Sequence, residues 1–151
     1  MKPEKIIRSE WLPDNHLIVS ELYGDLNASD IEEWEGSLSE ALSEIKDNGH
    51  FRILVNMFGF KATDLDAHKR FRGIIPLTLA DYGWKVGYVA LFEESKTMTF
   101  RNIRGKTCIA AAHVHQDATK MEQYELRFGK ANERFFTDPD AARSWIETLP
   151  L

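Results

Sequence analysis

Phe51-Arg52-Ile53-Leu54-Val55-Asn56-Met57-Phe58-Gly59-Phe60 is a short, almost uninterrupted apolar run with β-branched residues, closed off by Gly49 on one side and Gly59 on the other. A run of this length and make-up suits a strand covered on both faces, the kind found inside a parallel sheet. Lys61-Ala62-Thr63-Asp64-Leu65-Asp66 follows at once, and Thr63 and Asp66 stand at the Ser/Thr-x-x-acid spacing that opens a helix. The expected unit is therefore a buried strand handing over to a capped helix, a junction at which open α/β sheets commonly carry function.

The rest of the chain arranges itself around that unit. Lys5–Trp11 alternates, Pro13-Asp14-Asn15 supplies turn chemistry, and His16–Tyr23 resumes an extended pattern, so a hairpin closed by Gly24 is expected. Ser29 and Glu32 form a second capping pair ahead of a helix whose Ile31, Trp34, Leu38, Ala41, Leu42 and Ile45 share one face and which ends at Asn48-Gly49. The helix from Asp64 meets Pro76, which should end or kink it, and Lys85–Phe92 reads as another strand. Thr107–His115 fits a strand or an alanine-rich helix, with Cys108, Ile109 and Val114 favouring the strand. Asp117 then starts a helix that Gly129 stops. Glu133–Thr137 is a short strand, and Asp138-Pro139 puts a capping acid before a proline at the first helical position. The sum is an α/β fold: a mostly parallel central sheet with an antiparallel N-terminal hairpin, flanked by about four helices.

Composition narrows what such a chain does. Its 151 residues, 43% hydrophobic and 28% charged, suit one domain over 1–151 with one substantial core. A net charge of −5 argues against nucleic acid as partner, since the phosphate backbone calls for a broad positive field. The single cysteine, Cys108, allows no internal disulfide and no CxxC pair. The polar start Met1–Lys5 lacks the apolar core of a secretory signal, and no apolar run approaches the ~20 residues that span a bilayer. A cytoplasmic protein is expected. The Asn27-Ala28-Ser29 sequon is then a chance match.

Four stretches together resemble the SpoIIAA-like branch of the STAS domains: Gly24-Asp25-Leu26 leading to the helix start at Asp30, Ile53-Leu54-Val55-Asn56 with Gly59-Phe60, the Phe135-Phe136 strand, and Asp140-Ala141-Ala142-Arg143-Ser144-Trp145-Ile146. The resemblance covers most of the chain and consists mainly of core pattern. It implies a regulatory module whose helix after the central strand begins with an aspartate followed by a phosphorylated serine. Here Asp64 takes the aspartate's place, but Leu65 follows, so the acceptor is missing where the family would have it. The chain from Phe92 to Gly129 is also longer than the family leads one to expect.

Candidate chemistry is sparse. Thr63 would serve as a displaced phosphoacceptor at a helix N-terminus, although its commoner role is the cap itself. His113 and His115 point to one face of a strand, with Asp117 continuing the spacing. They would hold a metal if His68 or His50 supplied a further ligand, whereas strand-end histidines beside a cap are the commoner case. Gly105-Lys106-Thr107 is similar to the end of a phosphate-binding loop but lacks its first glycine, because Phe100 stands there. Lys69, Arg70 and Arg72, with Arg101 and Arg104, offer a basic patch or simply a solvated face. Cys108 lies in an apolar run that keeps a thiol inert, and neither a G-x-S-x-G elbow nor an H-E-x-x-H pair occurs.

The leading expectation is a binding or regulatory module of the STAS type without catalytic activity or cofactor. It would act on a protein partner or small ligand through Thr63, Asp64, Arg70 and the helix that follows. The first alternative is a pocket for a lipid or anion, as in the related SEC14-type arrangement, lined by Tyr82, Trp84 and Phe92. The second is a metal-dependent enzyme using His113 and His115. A homodimer is compatible with the supply of apolar side chains.

Overall fold

The structure, a computed structural model, describes residues 4–88 and 98–150. Strands β1 (Ile6–Leu12) and β2 (Leu17–Leu26) form the antiparallel hairpin, with registers running from Leu12 opposite Leu17 to Ile6 opposite Tyr23. The turn is a single 3-10 turn over Pro13–Asn15, and His16 closes it in the left-handed conformation with its N–H on the Pro13 carbonyl. The hairpin pairing ends at Tyr23, immediately before Gly24, as expected, but Gly24 does not end the strand. It adopts φ 101°, where any Cβ would collide with the Glu4 carbonyl, and β2 bends there and continues to Leu26.

That bend lets one strand serve two neighbours. Leu17–Glu21 pairs in parallel with β3 (His50–Asn56), while Gly24–Leu26 pairs in parallel with the short β4 (Phe60–Ala62). β5 (Thr107–Val114) lies in parallel on the other side of β3, and β6 (Glu133–Phe136) lies in parallel beyond it. The order β1-β2-β3-β5-β6 leaves β3 in the interior, where its apolar run calls for it. Alternation along β3 sends Phe51, Ile53 and Val55 into the larger core and Leu54 into the smaller core on the other face.

Helix α1 (Ala28–Ser43) covers the first face with five of the six apolar residues expected of it, all buried, and the sixth, Ile45, is buried just past its end. Its capping box is Asn27 with Asp30 rather than Ser29 with Glu32, so the helix starts earlier than the second pair implies. It also stops at Ser43, before Asn48-Gly49. Inside this layer the Trp34 indole donates to the Ser20 hydroxyl at 2.7 Å. Helix α2 (Leu65–Ala80) packs beside α1 and runs through Pro76 without ending. Its cap is Asp64, whose Oδ1 accepts from the Ala67 N–H, so the cap falls one residue after Thr63.

Helix α3 (Ala118–Phe128) is capped by Asp117 and packs along β6. Helix α4 (Pro139–Thr148) covers the opposite face, with Ala142 and Ile146 against Leu17, Leu54 and Ala112. Among the described residues, four helices around a mostly parallel sheet with an antiparallel hairpin make an α/β fold. The expected strand over Lys85–Phe92 is not formed by Lys85–Tyr88, whose backbone is loop and turn because the Gly87 N–H goes to the Glu133 carboxylate rather than to a neighbouring strand. The remainder of that stretch lies outside the described residues. Among the described residues no helix is long and apolar enough to cross a membrane.

Candidate functional site

A cleft of about 690 Å³ opens at the carboxyl ends of β3, β5 and β6, between α2 and α3. Parallel strands all deliver their chain to the same edge, which is why loops and helix starts gather there. The near wall comes from Phe60 and Ala62 of β4 with Phe71 and Ile75 of α2; the far wall from Met121 and Tyr124 of α3. Tyr88, His113 and Phe135 form the back. Gln116, just past β5, ties the cleft floor to the start of β4, since its amide donates to the Phe60 carbonyl at 3.0 Å and its oxygen accepts from the Gly59 N–H at 2.9 Å.

The walls are mainly aromatic. Phe60 and Phe71 meet at 4.6 Å between ring centroids, and Tyr88 stacks on Tyr124 at 5.5 Å. The His113 ring lies nearly parallel to Phe135 at 4.7 Å and edge-on to Tyr88 at 5.6 Å. Burial, reinforced by the Glu133 carboxylate, pushes the Tyr88 phenol well above its ordinary range, and burial also raises that of Tyr124. Both hydroxyls therefore stay protonated in neutral solution.

The rim is cationic. Lys61, Arg72 and Lys120 border the cleft together with His68. The one carboxylate among its described lining residues, that of Asp117, is occupied as the α3 cap, accepting from the Lys120 N–H at 3.0 Å. His115 accepts from the Asp117 N–H through Nδ1 at 3.0 Å, and burial, with Lys120 adding to it, lowers its pKa below the usual histidine value.

Behind the cleft wall lies a buried, hydrogen-bonded couple. His113 Nε2 and Glu133 Oε2 are 2.8 Å apart, and the two side chains are 3% and 0% exposed. The other Glu133 oxygen accepts from the Gly87 N–H at 3.0 Å. Nδ1 of His113 is buried and meets no hydrogen-bond partner.

The residues singled out in the sequence divide accordingly. His113 and His115 both line the cleft, as does His68, while His50 sits at the opposite end of β3, stacked on His16 at 4.9 Å. Among the described residues no three His, Cys, Asp or Glu side chains converge in a way that could hold a metal ion. Thr63 and Asp64 are exposed beside the cleft rather than in its wall; the Thr63 N–H donates to the Leu26 carbonyl. Arg70 is exposed and pairs with Glu35 at 3.3 Å. Tyr82 and Trp84 do not line the cleft: Tyr82 packs edge-on against Phe51 and Trp84 is buried in the main core. Phe92 lies outside the described residues. The wider basic patch dissolves into ion pairs of Arg101 with Asp81 and Arg104 with Asp47, and the Lys106 ammonium is buried on the Leu42 carbonyl.

Sequence reasoning missed Glu133, Tyr88 and Tyr124 as site residues. Glu133 did offer a signal, an acid two residues before Phe135 and so on the same face of the strand. Comparison with protein-family models, with curated proteins and with solved structures returns no match.

Proposed function

We propose that this domain is a non-enzymatic binding module for a small amphipathic anion, the apolar body held between α2 and α3 and the acidic group at the rim. The observation that carries this reading is the cleft itself, walled by Phe60, Phe71, Tyr124 and Phe135 and bordered by Lys61, Arg72 and Lys120. Aromatic walls favour ligand bodies of low polarity, and the Lys61 and Lys120 ammonium groups at the rim favour a negative end. The resemblance to STAS domains supports the same edge of the sheet as the working surface, since Thr63 and Asp64 begin α2 next to the rim. In that setting ligand occupancy would govern a regulatory role in the cytoplasm, to which the lone buried Cys108 is suited.

Isothermal titration with 4-benzylbenzoate, a rigid aromatic carboxylate, tests the proposal. One-to-one binding with Kd on the order of 100 μM is expected for a probe of this size. Met121→Trp, which fills the cleft, should abolish it. Absence of saturable binding, or binding unchanged by Met121→Trp, would overturn the assignment.

A further inference from the structure

We infer that the His113–Glu133 couple is a specificity element of this cleft, presenting a hydrogen-bond donor at His113 Nδ1 that selects ligands carrying a carbonyl or similar acceptor oxygen within their apolar body. The inference rests on the cleft being a ligand site and adds what that ligand contains.

The argument begins with the shared proton. Glu133 is wholly buried, and among the described residues its carboxylate meets the Gly87 N–H and His113 Nε2 but no lysine or arginine. A buried couple with net charge −1 leaves an uncompensated charge away from water, which costs more than a couple whose charges cancel. Neutrality is met in two ways: an imidazolium against a carboxylate, or an imidazole whose Nε2 accepts from the protonated acid. In both, the remaining ring proton sits on Nδ1. The nitrogen that has no protein partner is thus a donor.

Geometry gives that donor its direction of use. The Nε2 edge of the ring faces Glu133, which is not part of the cleft wall, while His113 itself is. Its ring is clamped between Phe135 and Tyr88, so it cannot swing to find another acceptor. Nδ1 is shielded from solvent on a side chain that lines the cleft, so a ligand oxygen reaches it by displacing part of the neighbouring lining. A buried donor without an acceptor is costly, and a ligand oxygen that meets it recovers that cost. A hydrocarbon body leaves it unpaired.

A matched pair of probes isolates the effect. 4-Benzoylbenzoate and 4-benzylbenzoate share a skeleton and a carboxylate and differ by a ketone in place of a methylene. The protein should bind the ketone about tenfold more tightly, the worth of one buried hydrogen bond. His113→Phe combined with Glu133→Gln removes the donor and avoids stranding a buried carboxylate. It should bring the two affinities together, whatever their common value, and a cooperative urea transition shows that the variant is folded. Glu133→Gln alone should keep the preference, because its amide N–H donates to Nε2 and holds the proton on Nδ1. Equal affinities in the unaltered protein would overturn this inference and leave the cleft assignment standing, as would a preference that survives the double substitution or is lost in Glu133→Gln alone. Failure of either probe to bind in the cleft would overturn both.

Discussion

The guanidinium of Arg52, in the middle of the central strand, donates to the carbonyl oxygen of Leu149 at 2.8 Å, across 97 residues of chain. It also reaches the Ile146 and Glu147 carbonyls at the end of α4, and the Asn15 carbonyl at 3.0 Å. The last carbonyls of a helix have no partner within it, and a buried cation there both satisfies them and opposes the negative end of the dipole. Replacing Arg52 with Met removes these bonds at a site only 6% exposed. Urea denaturation should show a loss of about 3 kcal/mol, with cleft binding unchanged in the folded protein.

A smaller loss is expected on the other face. Ser20 is fully buried and accepts from the Trp34 indole N–H. Ser20→Ala leaves that donor without a partner in the core and should cost about 1–2 kcal/mol in the same measurement. Trp34→Phe in the Ser20→Ala background should cost less than the two single substitutions together, since the pair is then absent as a whole.

Cys108 should be unreactive in the folded protein. It is 3% exposed, and burial raises its thiol pKa far above the ordinary range. Iodoacetamide followed by mass spectrometry should give negligible labelling at neutral pH and full labelling in urea. Rapid labelling of the folded chain would contradict the packing of β5 against the core.

Acid should weaken the fold through His115. Its folded pKa lies below the unfolded value, so the folded state binds fewer protons. The contribution is undiminished above the unfolded value of about 6.5 and is lost progressively as pH falls from there through the lowered folded value. His115→Gln should flatten that part of the stability-against-pH curve, measured by urea midpoints at successive pH values.

Salt should act on binding and hardly on the fold. Lys120→Glu places an acid on the rim, where the ammonium now lies 5.6 Å from the centre of the Tyr124 ring. Affinity for 4-benzylbenzoate should fall by about fivefold to tenfold, and the difference from the unaltered protein should shrink in 1 M salt.

The architecture was legible in the chain because its strongest signals are local. The β3 run, the α1 stripe from Ile31 to Ile45 and the Asp138-Pro139 start of α4 each depend on neighbours within a few residues. Boundaries were harder, since Asn27-x-x-Asp30 and Ser29-x-x-Glu32 both satisfy a capping pattern and only packing selects the first. Pro76 shows a local rule overridden by burial, for α2 continues to Ala80 with Pro76 in its covered face. The site was half legible. His113 and His115 stood out by spacing, but Glu133 meets His113 only because β6 lies beside β5 with Phe135 opposite His113, and register between strands is not written in either strand alone.

The divided allegiance of β2 reaches beyond the hairpin. Because Phe60 and Ala62 hang from its second half, through Gly24–Leu26, the near wall of the cleft is mounted on the first strand pair instead of on the central strand. Gly24 is thus a pivot, and a substitution there should alter the width of the ligand mouth while every side chain that lines it keeps its identity.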